Sequence, residues 1–413
     1  MTISRRALLA AGAGAGLLTA CGSNTGRGDG SGPGLSQWYH QYGEAGTEQA
    51  VERYAAAYRE ADVEVQWRPG NYDQQTAAAL LTGSGPDVFE GSPTLDQIQG
   101  GQVADLTGLL DGVRDDFNPA VLTPKTYDGR VWGIPQVIDT QLLYYRKSML
   151  REAGVEPPTT LDALVDAARR LTGGRVKGLF LGNDGGAGAL GGTPLQAAGL
   201  RLVTDDSKVG FDDPAAARTL GKLRRLYTDG SLLLGAPADW SDPSALLQGL
   251  TAMQWSGLWA LPRVREELGD DFGVLPFPKD GPGGRPSVPV GAYGAAVSAR
   301  SRHKRAAMEY VKWLWVERTD YQEDFALSYG FHIPARISLA KKAAKLKSGP
   351  AADAVRFTTD HGYAQPLLWT PASQTAYQDA LSRIIRSGAH PDGELRSVVR
   401  KVSAELDRVK KKP

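Results

Sequence analysis

The chain has 413 residues, with 47 lysines and arginines against 46 aspartates and glutamates. This length exceeds one ordinary domain and suits two lobes of about 150–200 residues each, and the near balance of charge excludes a general attraction to nucleic acid or acidic membranes. The single cysteine, Cys21, excludes an intramolecular disulfide and a cysteine-based metal cluster.

The N-terminal residues have the pattern of an export signal. The arginine pair Arg5-Arg6 precedes a stretch of alanine, glycine and leucine that is too short and too rich in glycine to span a bilayer permanently. Leu18-Thr19-Ala20-Cys21 matches a bacterial lipobox, so we predict a signal peptide over residues 1–20, a lipid anchor at Cys21 and a flexible tether over 21–34. The arginine pair also resembles a twin-arginine signal, and the choice between the Sec and Tat export routes stays open.

Strand and helix patterns alternate after the tether. Apolar or alternating runs predict strands over 35–39, 63–67 and 87–89, separated by a helix that Thr47 should cap and a helix over 72–81. This order predicts parallel strands with right-handed crossovers, which is an α/β lobe. Because ligands in such sheets bind at the carboxyl ends of the strands, His40, Tyr42, Glu44 and Glu90 become candidate contacts.

The stretch from Tyr127 to Leu171 has the most specific pattern in the chain. Asp128-Gly129 predicts a tight hairpin turn, followed by strands over 131–135 and 137–145 and a helix over 147–154 that ends at a glycine. Thr159 should cap the next helix. The apolar face of that helix is predicted to comprise Leu161, Leu164, Val165, Ala168 and Leu171.

This stretch resembles the extracellular solute-binding proteins of bacterial ABC importers, of the family 1 or maltose-binding type. The positions that carry the resemblance are Tyr127, Gly129, Gly133, Pro135, Asp139, Tyr144, Tyr145, Lys147, Ala153, Gly154, Pro157, Pro158, Thr160 and Leu164. Arg146 replaces the usual asparagine and Leu161 the usual tryptophan. Further similar segments lie at 85–88, 251–259, 272–278 and 331–336, so the resemblance spans roughly residues 35–409.

The resemblance implies a two-lobed α/β fold of the type II periplasmic-binding-protein kind, with crossing segments that act as a hinge. We expect lobe 1 at 35–140 and 299–345, and lobe 2 at 141–298 and 346–409, followed by a solvated tail at 410–413. The segment 288–298 should recross to lobe 1. The glycine-rich loop 182–192 lacks the ending of a phosphate-binding loop, so we reject that function for it.

Nine residues are candidate ligand contacts. A neutral sugar presents hydroxyls, which suit carboxylates, and C–H faces, which suit tryptophan and tyrosine. In the family that the chain resembles, an acidic residue at the position of Asp139 and a tryptophan at that of Trp259 contact ligand. The other candidates are Tyr293, Glu90, Tyr42, Glu44, His40, Trp255 and Arg336. The alternative roles are core packing for the tryptophans, hinge packing for Tyr293, an ion pair in the hinge for Arg336, and a solvated position for the residues at strand ends.

The resemblance implies a substrate-binding lipoprotein that captures a sugar or oligosaccharide and delivers it to the permease subunits of an ABC importer. We expect an exported monomer, anchored at the outer face of the cytoplasmic membrane, with no enzyme activity, cofactor, metal or nucleic-acid partner. The five histidines form no close metal-ligand pair, and no G-x-S-x-G elbow occurs. Two alternatives stay open: a binding protein for a polyamine or organic anion, and a secreted glycosidase, whose two carboxylates can come from any positions.

Overall fold

The computed structural model describes residues 33–291 and 293–411. The predicted signal peptide, Cys21 and nearly all of the predicted tether lie outside the described residues. Among the residues described, no helix combines the length and the apolar composition needed to cross a membrane.

The strands differ widely in length, from two residues to ten. They are β1 (Gly34–His40), β2 (Asp62–Arg68), β3 (Val88–Gly91), β4 (Thr126–Tyr127), β5 (Arg130–Val131), β6 (Ile134–Pro135), β7 (Val137–Arg146), β8 (Lys177–Phe180), β9 (Thr251–Gly257), β10 (Phe272–Leu275), β11 (Val288–Gly291), β12 (Gly294–Val297), β13 (Ile333–Pro334) and β14 (Gly362–Ala364).

Helices alternate with these strands and dominate the C-terminal third. They are α1 (Thr47–Ala57), α2 (Tyr72–Leu80), α3 (Leu95–Gln99), α4 (Pro119–Leu122), α5 (Lys147–Glu152), α6 (Leu161–Arg170), α7 (Thr193–Ala197), α8 (Pro214–Thr228), α9 (Ser244–Leu247), α10 (Leu261–Leu268), α11 (Lys304–Lys312), α12 (Thr319–Ser328), α13 (Ile337–Lys342), α14 (Gly349–His361), α15 (Pro371–Ser382) and α16 (Pro391–Lys410). A 3-10 turn at Leu258–Ala260 leads into α10, and π turns at Trp313–Glu317 and Arg383–Ser387 extend α11 and α15.

The first sheet has the strand order β2-β1-β3-β12-β6. β1 is parallel to both β2 and β3, and β12 is antiparallel to β3 and β6. The parallel core predicted from the strand–helix alternation is therefore confirmed. The predicted cap of α1 is wrong, because Gly46 with φ 92° occupies the N-cap position and Thr47 is the first helical residue. The ring of Tyr329 lies 2.8 Å from the position of a Cβ on Gly46, so the loop there leaves no room for a side chain.

The second sheet is built around β7, which is antiparallel to β9, β10, β11 and β13. Its order is β14-β11-β7-β9-β8. Because side chains alternate along a strand, Tyr144 of β7 packs into one hydrophobic core and its neighbour Leu143 into another. The first core continues under the first sheet, whereas the second core is closed by α8, α15 and α16.

The Tyr127–Leu171 stretch folds largely as its pattern predicts. Tyr127 pairs with Arg130 across a turn in which Asp128 and Gly129 have φ of 50° and 73°, which is the backbone of a tight hairpin. The predicted apolar face of α6 is buried. The cap is one residue later than predicted, because the Oγ1 of Thr160, and not that of Thr159, accepts from the backbone N of Ala163.

Three segments carry the chain between the sheets, and the third leads from β12 of the first sheet to β13 beside β7. Gln136 links β6 of the first sheet to β7 of the second, and the chain returns between β11 and β12. The predicted boundary at residue 298 is therefore several residues late, because β12 already hydrogen-bonds to β3 in the first sheet. The boundary at 140 falls inside the continuous ladder of β7. Lys410 is the last residue of α16 and does not belong to a solvated tail.

Candidate functional site

A cavity of about 920 Å³ opens between the two sheets at the level of the crossing segments. Residues from both sides line it, and they include seven of the nine predicted contacts: His40, Tyr42, Glu44, Glu90, Asp139, Trp259 and Tyr293. Four of these follow or end the parallel strands β1 and β3, where ligands of α/β sheets bind. Asp139 lies near the start of β7, Tyr293 lies on the return crossing, and Trp259 comes from the second sheet's side.

Glu90 organises the wall contributed by the first sheet. Its side chain is buried, and it accepts hydrogen bonds from His40 Nδ1 at 2.6 Å and from the hydroxyl of Tyr42. Burial alone would lower the pKa of His40, but the charge and hydrogen bond of Glu90 outweigh it and raise that pKa. Burial, followed by the charge of Glu90, raises the pKa of Tyr42. The pairing holds both rings against the cavity with their centroids 4.1 Å apart.

His332 is a cavity residue that the sequence analysis missed. Its Nδ1 hydrogen-bonds to Asp139, and its Nε2 lies 3.8 Å from Glu44 Oε1. Burial would lower the pKa of His332, but the charge of Asp139 and the hydrogen bond to it raise that pKa above its usual value. Burial also raises the pKa of Glu44. The neighbouring strand β13 pairs with β7 at Ile138, and this long-range pairing, which brings His332 next to Asp139, has no signal in the local sequence.

Trp259 forms the aromatic surface of the opposite wall. Its indole lies over Gly257, its Nε1 donates to the backbone oxygen of Ser241 at 2.9 Å, and Trp240 packs against it edge-on. Trp240 also lines the cavity, and no strand or helix motif in the sequence had singled it out. Trp259 is therefore fixed by contacts along its edge, while part of the ring remains available to the cavity.

Tyr293 lies on the return crossing, between the two walls. Its ring centroid is 5.1 Å from that of His40, and its hydroxyl is 3.4 Å from Asp73 Oδ2. Burial, together with the charge of Asp73, raises the pKa of Tyr293. The residue combines packing between the crossing segments with a position on the cavity wall, so ligand contact by Tyr293 remains a prediction.

Two predicted contacts lie outside the cavity. Trp255 is fully buried, because its position in β9 faces Leu143 and places its ring in the second core. Its Nε1 donates to Gln141 Oε1 at 2.9 Å. Arg336 donates to Asp116 at 2.7 Å and to the backbone oxygen of Val316 at 2.9 Å. It therefore forms the ion pair that was the alternative to ligand contact for this residue. Neither residue lines the cleft, and their positions favour the alternative roles of core packing for Trp255 and an ion pair for Arg336.

The cleft continues into a neutral compartment of about 500 Å³. Asp139, Trp259 and Tyr293 line this compartment as well, so it is continuous with the first cavity. Its other polar side chains are uncharged: Ser92, Thr140, Gln141, Tyr363, Gln365 and Gln374. The cleft thus has one part rich in carboxylates and histidines and one part lined by hydroxyls and amides.

The chain is similar in sequence to bacterial solute-binding proteins. The profile of a family described as "bacterial extracellular solute-binding protein" matches residues 43–315. The chain is similar to the galactooligosaccharide-binding protein of Bacillus subtilis (strain 168), with 25% identity over 388 residues that cover 86% of this chain and 87% of that protein. It is also similar to the maltodextrin-binding protein MdxE of the same organism, with 26% identity over 70% of this chain and 71% of that one.

Solved structures show the same fold. An ABC transporter solute-binding protein from Thermotoga lettingae TMO, bound with α-D-tagatose, superposes with a TM-score of 0.78 at 21% identity and covers 91% of this chain and 100% of that chain. The GacH receptor of Streptomyces glaucescens GLA.O superposes with a TM-score of 0.77 at 23% identity, covering 91% and 99%. The predicted two-lobed α/β binding-protein fold is therefore confirmed.

Proposed function

This chain belongs to the bacterial extracellular solute-binding protein family, and we propose that it captures a sugar or oligosaccharide and delivers it to the permease subunits of an ABC importer. The observation that carries this proposal is that one cleft brings the indole of Trp259 together with the carboxylates of Asp139, Glu90 and Glu44. Relatives in this family that are named for galactooligosaccharide and maltodextrin binding support it.

The cleft matches the two surfaces of a sugar ring. Carboxylate oxygens accept strong hydrogen bonds from hydroxyls, and an indole buries the C–H face with few rotamers to lose. A few such contacts in a closed cleft suffice for micromolar binding, about −8 kcal/mol. A neutral solute with many hydroxyls therefore fits the site.

We propose that the two sides of the cleft close on the ligand as lobes, hinged at Gln136 and at the return crossing after Gly291. Apart from those crossings, the lobes would follow the predicted division, with the C-terminal helices α15 and α16 on the second. Closure is favoured only by a ligand that has higher affinity for the closed form, and contacts from both walls provide that difference. The protein would act as a monomer.

Membership in a solute-binding family identifies the chain as a binding protein and not as the glycosidase considered above. Calorimetric titration against maltotriose, mannotriose, xylotriose and a galactooligosaccharide, with spermidine and citrate in parallel, tests the proposed ligand class. Saturable binding of a sugar without release of shorter products is expected. Binding of spermidine or citrate with no response to any sugar would refute the sugar assignment.

We propose that Cys21 carries the lipid anchor at the outer face of the cytoplasmic membrane. Acyl chains contribute about 0.8 kcal/mol per buried methylene, so more than one chain gives durable attachment. The Cys21→Ser variant is expected to leave the membrane fraction and appear in the medium, as measured by immunoblotting of cell fractions. Unchanged retention at the membrane would contradict the anchor.

Gly257 provides a test of Trp259 that keeps the tryptophan side chain and changes only its position. A Cβ on Gly257 would lie 2.0 Å from the Trp259 ring, whereas its φ of −90° is open to any residue. Gly257→Ala is therefore expected to shift the indole and weaken sugar binding about tenfold, or about 1.4 kcal/mol, while the protein stays folded. Calorimetry and tryptophan fluorescence measure these effects. An unchanged affinity would show that the ring position is unimportant.

A further inference from the structure

Gln136 is a buried residue of the cleft whose amide nitrogen has no hydrogen-bond partner. The residue is 3% exposed, it lines the cavity, and its Nε2 is buried and unpaired. It lies in the crossing segment between β6 and β7, at none of the positions that carry the family resemblance. Buried polar groups in native proteins nearly always have a partner, so an unpaired one in a binding cleft requires an explanation.

The backbone fixes Gln136 from both sides. The preceding residue, Pro135, pairs with Gly294 in the first sheet, and the following residue, Val137, pairs with Pro334 beside β7. The backbone at Gln136 is therefore held in place by strand pairing on both of its sides. The position of the unpaired amide is therefore set by the fold, and Gln136 is not a loose side chain on the surface.

Several donors that line the same cavity as Gln136 are engaged within the protein. Among the described residues, His40 Nδ1 and the Tyr42 hydroxyl bond to Glu90, and His332 Nδ1 bonds to Asp139. Trp259 Nε1 bonds to Ser241. The same wall is rich in acceptors, because each of its carboxylates has further lone pairs. A sugar hydroxyl both donates and accepts, so the carboxylates can satisfy only its donated hydrogen bond and a protein donor must satisfy its oxygen.

We infer that Gln136 is a ligand-contacting and specificity-determining residue, whose Nε2–H donates to an oxygen of the bound sugar. This inference rests on the proposed function and extends it to a residue in the hinge itself. The ligand oxygen would satisfy the unpaired donor, so part of the cost of burying it in the free protein is recovered only on binding. A solute without an acceptor at that position would leave the amide unpaired and would be discriminated against.

If Gln136 contacts the ligand, removing its amide should weaken sugar binding without lowering the stability of the ligand-free protein. Gln136→Met keeps the length of the side chain and removes its amide, so the melting temperature of the ligand-free protein is expected to stay the same or rise. Affinity for the sugar identified by the oligosaccharide titrations is expected to fall tenfold or more. Gln136→Glu keeps the shape but replaces the donor with an acceptor, and it should weaken binding at least as much.

Gln322 is a matched control. It is also 3% exposed and its Nε2 is also unpaired, but it lies in α12 and lines none of the described cavities. Gln322→Met should leave the affinity unchanged.

Calorimetry and thermal unfolding of these variants test whether Gln136 contacts the ligand. Unchanged affinity in Gln136→Met and Gln136→Glu overturns this inference alone, whereas a wild type that binds none of the sugars overturns the proposed function together with it. A Gln136→Met variant whose ligand-free melting temperature falls would identify a structural role and would also overturn the inference.

Discussion

Replacing Trp259 with alanine is expected to weaken sugar binding about a hundredfold, or about 3 kcal/mol. The indole is the flat apolar surface opposite the carboxylates, and its edge is already fixed by Ser241 and Trp240. Since little rotamer freedom remains to be lost on binding, most of the contact area contributes to affinity. Calorimetric titration of wild type and variant with the same sugar measures the change.

Trp132 provides the control for this truncation. It is a half-buried indole that donates to the backbone oxygen of Tyr127 and lines none of the described cavities. Trp132→Ala should reduce the free energy of unfolding and leave the affinity unchanged. If both variants bound as tightly as the wild type, Trp259 would be a core residue, which was the alternative role considered for it.

Replacing Asp139 with asparagine is expected to reduce both affinity and stability. Asp139 lines both compartments of the cleft and is the partner of the buried His332. Loss of a charged hydrogen bond costs about 2 kcal/mol, so we expect affinity to fall about thirtyfold and the free energy of unfolding to decrease by a similar amount. Calorimetry and urea unfolding measure the two effects.

Asp116 is the matched control for Asp139. It accepts hydrogen bonds from Arg336 and from the backbone and hydroxyl of Ser338, at distances of 2.6 to 2.8 Å, but it lies outside the described cavities. Asp116→Asn should therefore lower stability without changing affinity. An Asp139→Asn variant that loses stability but binds normally would exclude the carboxylate from ligand recognition.

The same pair predicts a dependence of stability on pH. The folded protein raises the pKa of His332 above the unfolded value of about 6.5. The contribution of the protonated histidine to stability is therefore fully present below about pH 6.5 and is lost as the pH rises through the raised pKa. Urea unfolding from about pH 5.5 to 8.5 should show this loss, and Asp139→Asn should reduce it. Equal pH profiles for the two proteins would contradict the assigned pair.

Local sequence patterns predicted most strands and helices, because periodicity and turn residues depend only on neighbouring positions in the chain. The alternation of apolar runs and helices predicted that β1, β2 and β3 are parallel, and the Asp128-Gly129 turn required only two residues. The errors at Thr47 and Thr159 are errors of the helix cap. Any threonine before a helix can cap it, and the choice between neighbours depends on loop geometry that the sequence does not display.

The site was predictable where strand order decides it. His40, Tyr42, Glu44 and Glu90 follow from the ends of parallel strands, since those ends meet at one edge of the sheet. Trp255 failed for the opposite reason: which face of β9 it occupies depends on the partner strand and its register, and these are set by the tertiary fold.

His332, Trp240 and Gln136 were missed because each owes its place to a long-range arrangement. His332 meets Asp139 only through the pairing of β13 with β7, and Trp240 reaches the cavity through its packing against Trp259. Gln136 is a single polar residue between the short strand β6 and the long strand β7, so its sequence context resembles that of an ordinary linker. Its unpaired amide is visible only when every neighbouring group has been placed.

A crystal structure of the protein with the sugar identified by titration tests the central claim most directly. We expect one sugar ring to lie against the indole of Trp259, with its hydroxyls hydrogen-bonded to Asp139 and the two halves of the cleft drawn together. A sugar bound elsewhere on the molecule, or bound in this cleft without contact to either residue, would contradict the account.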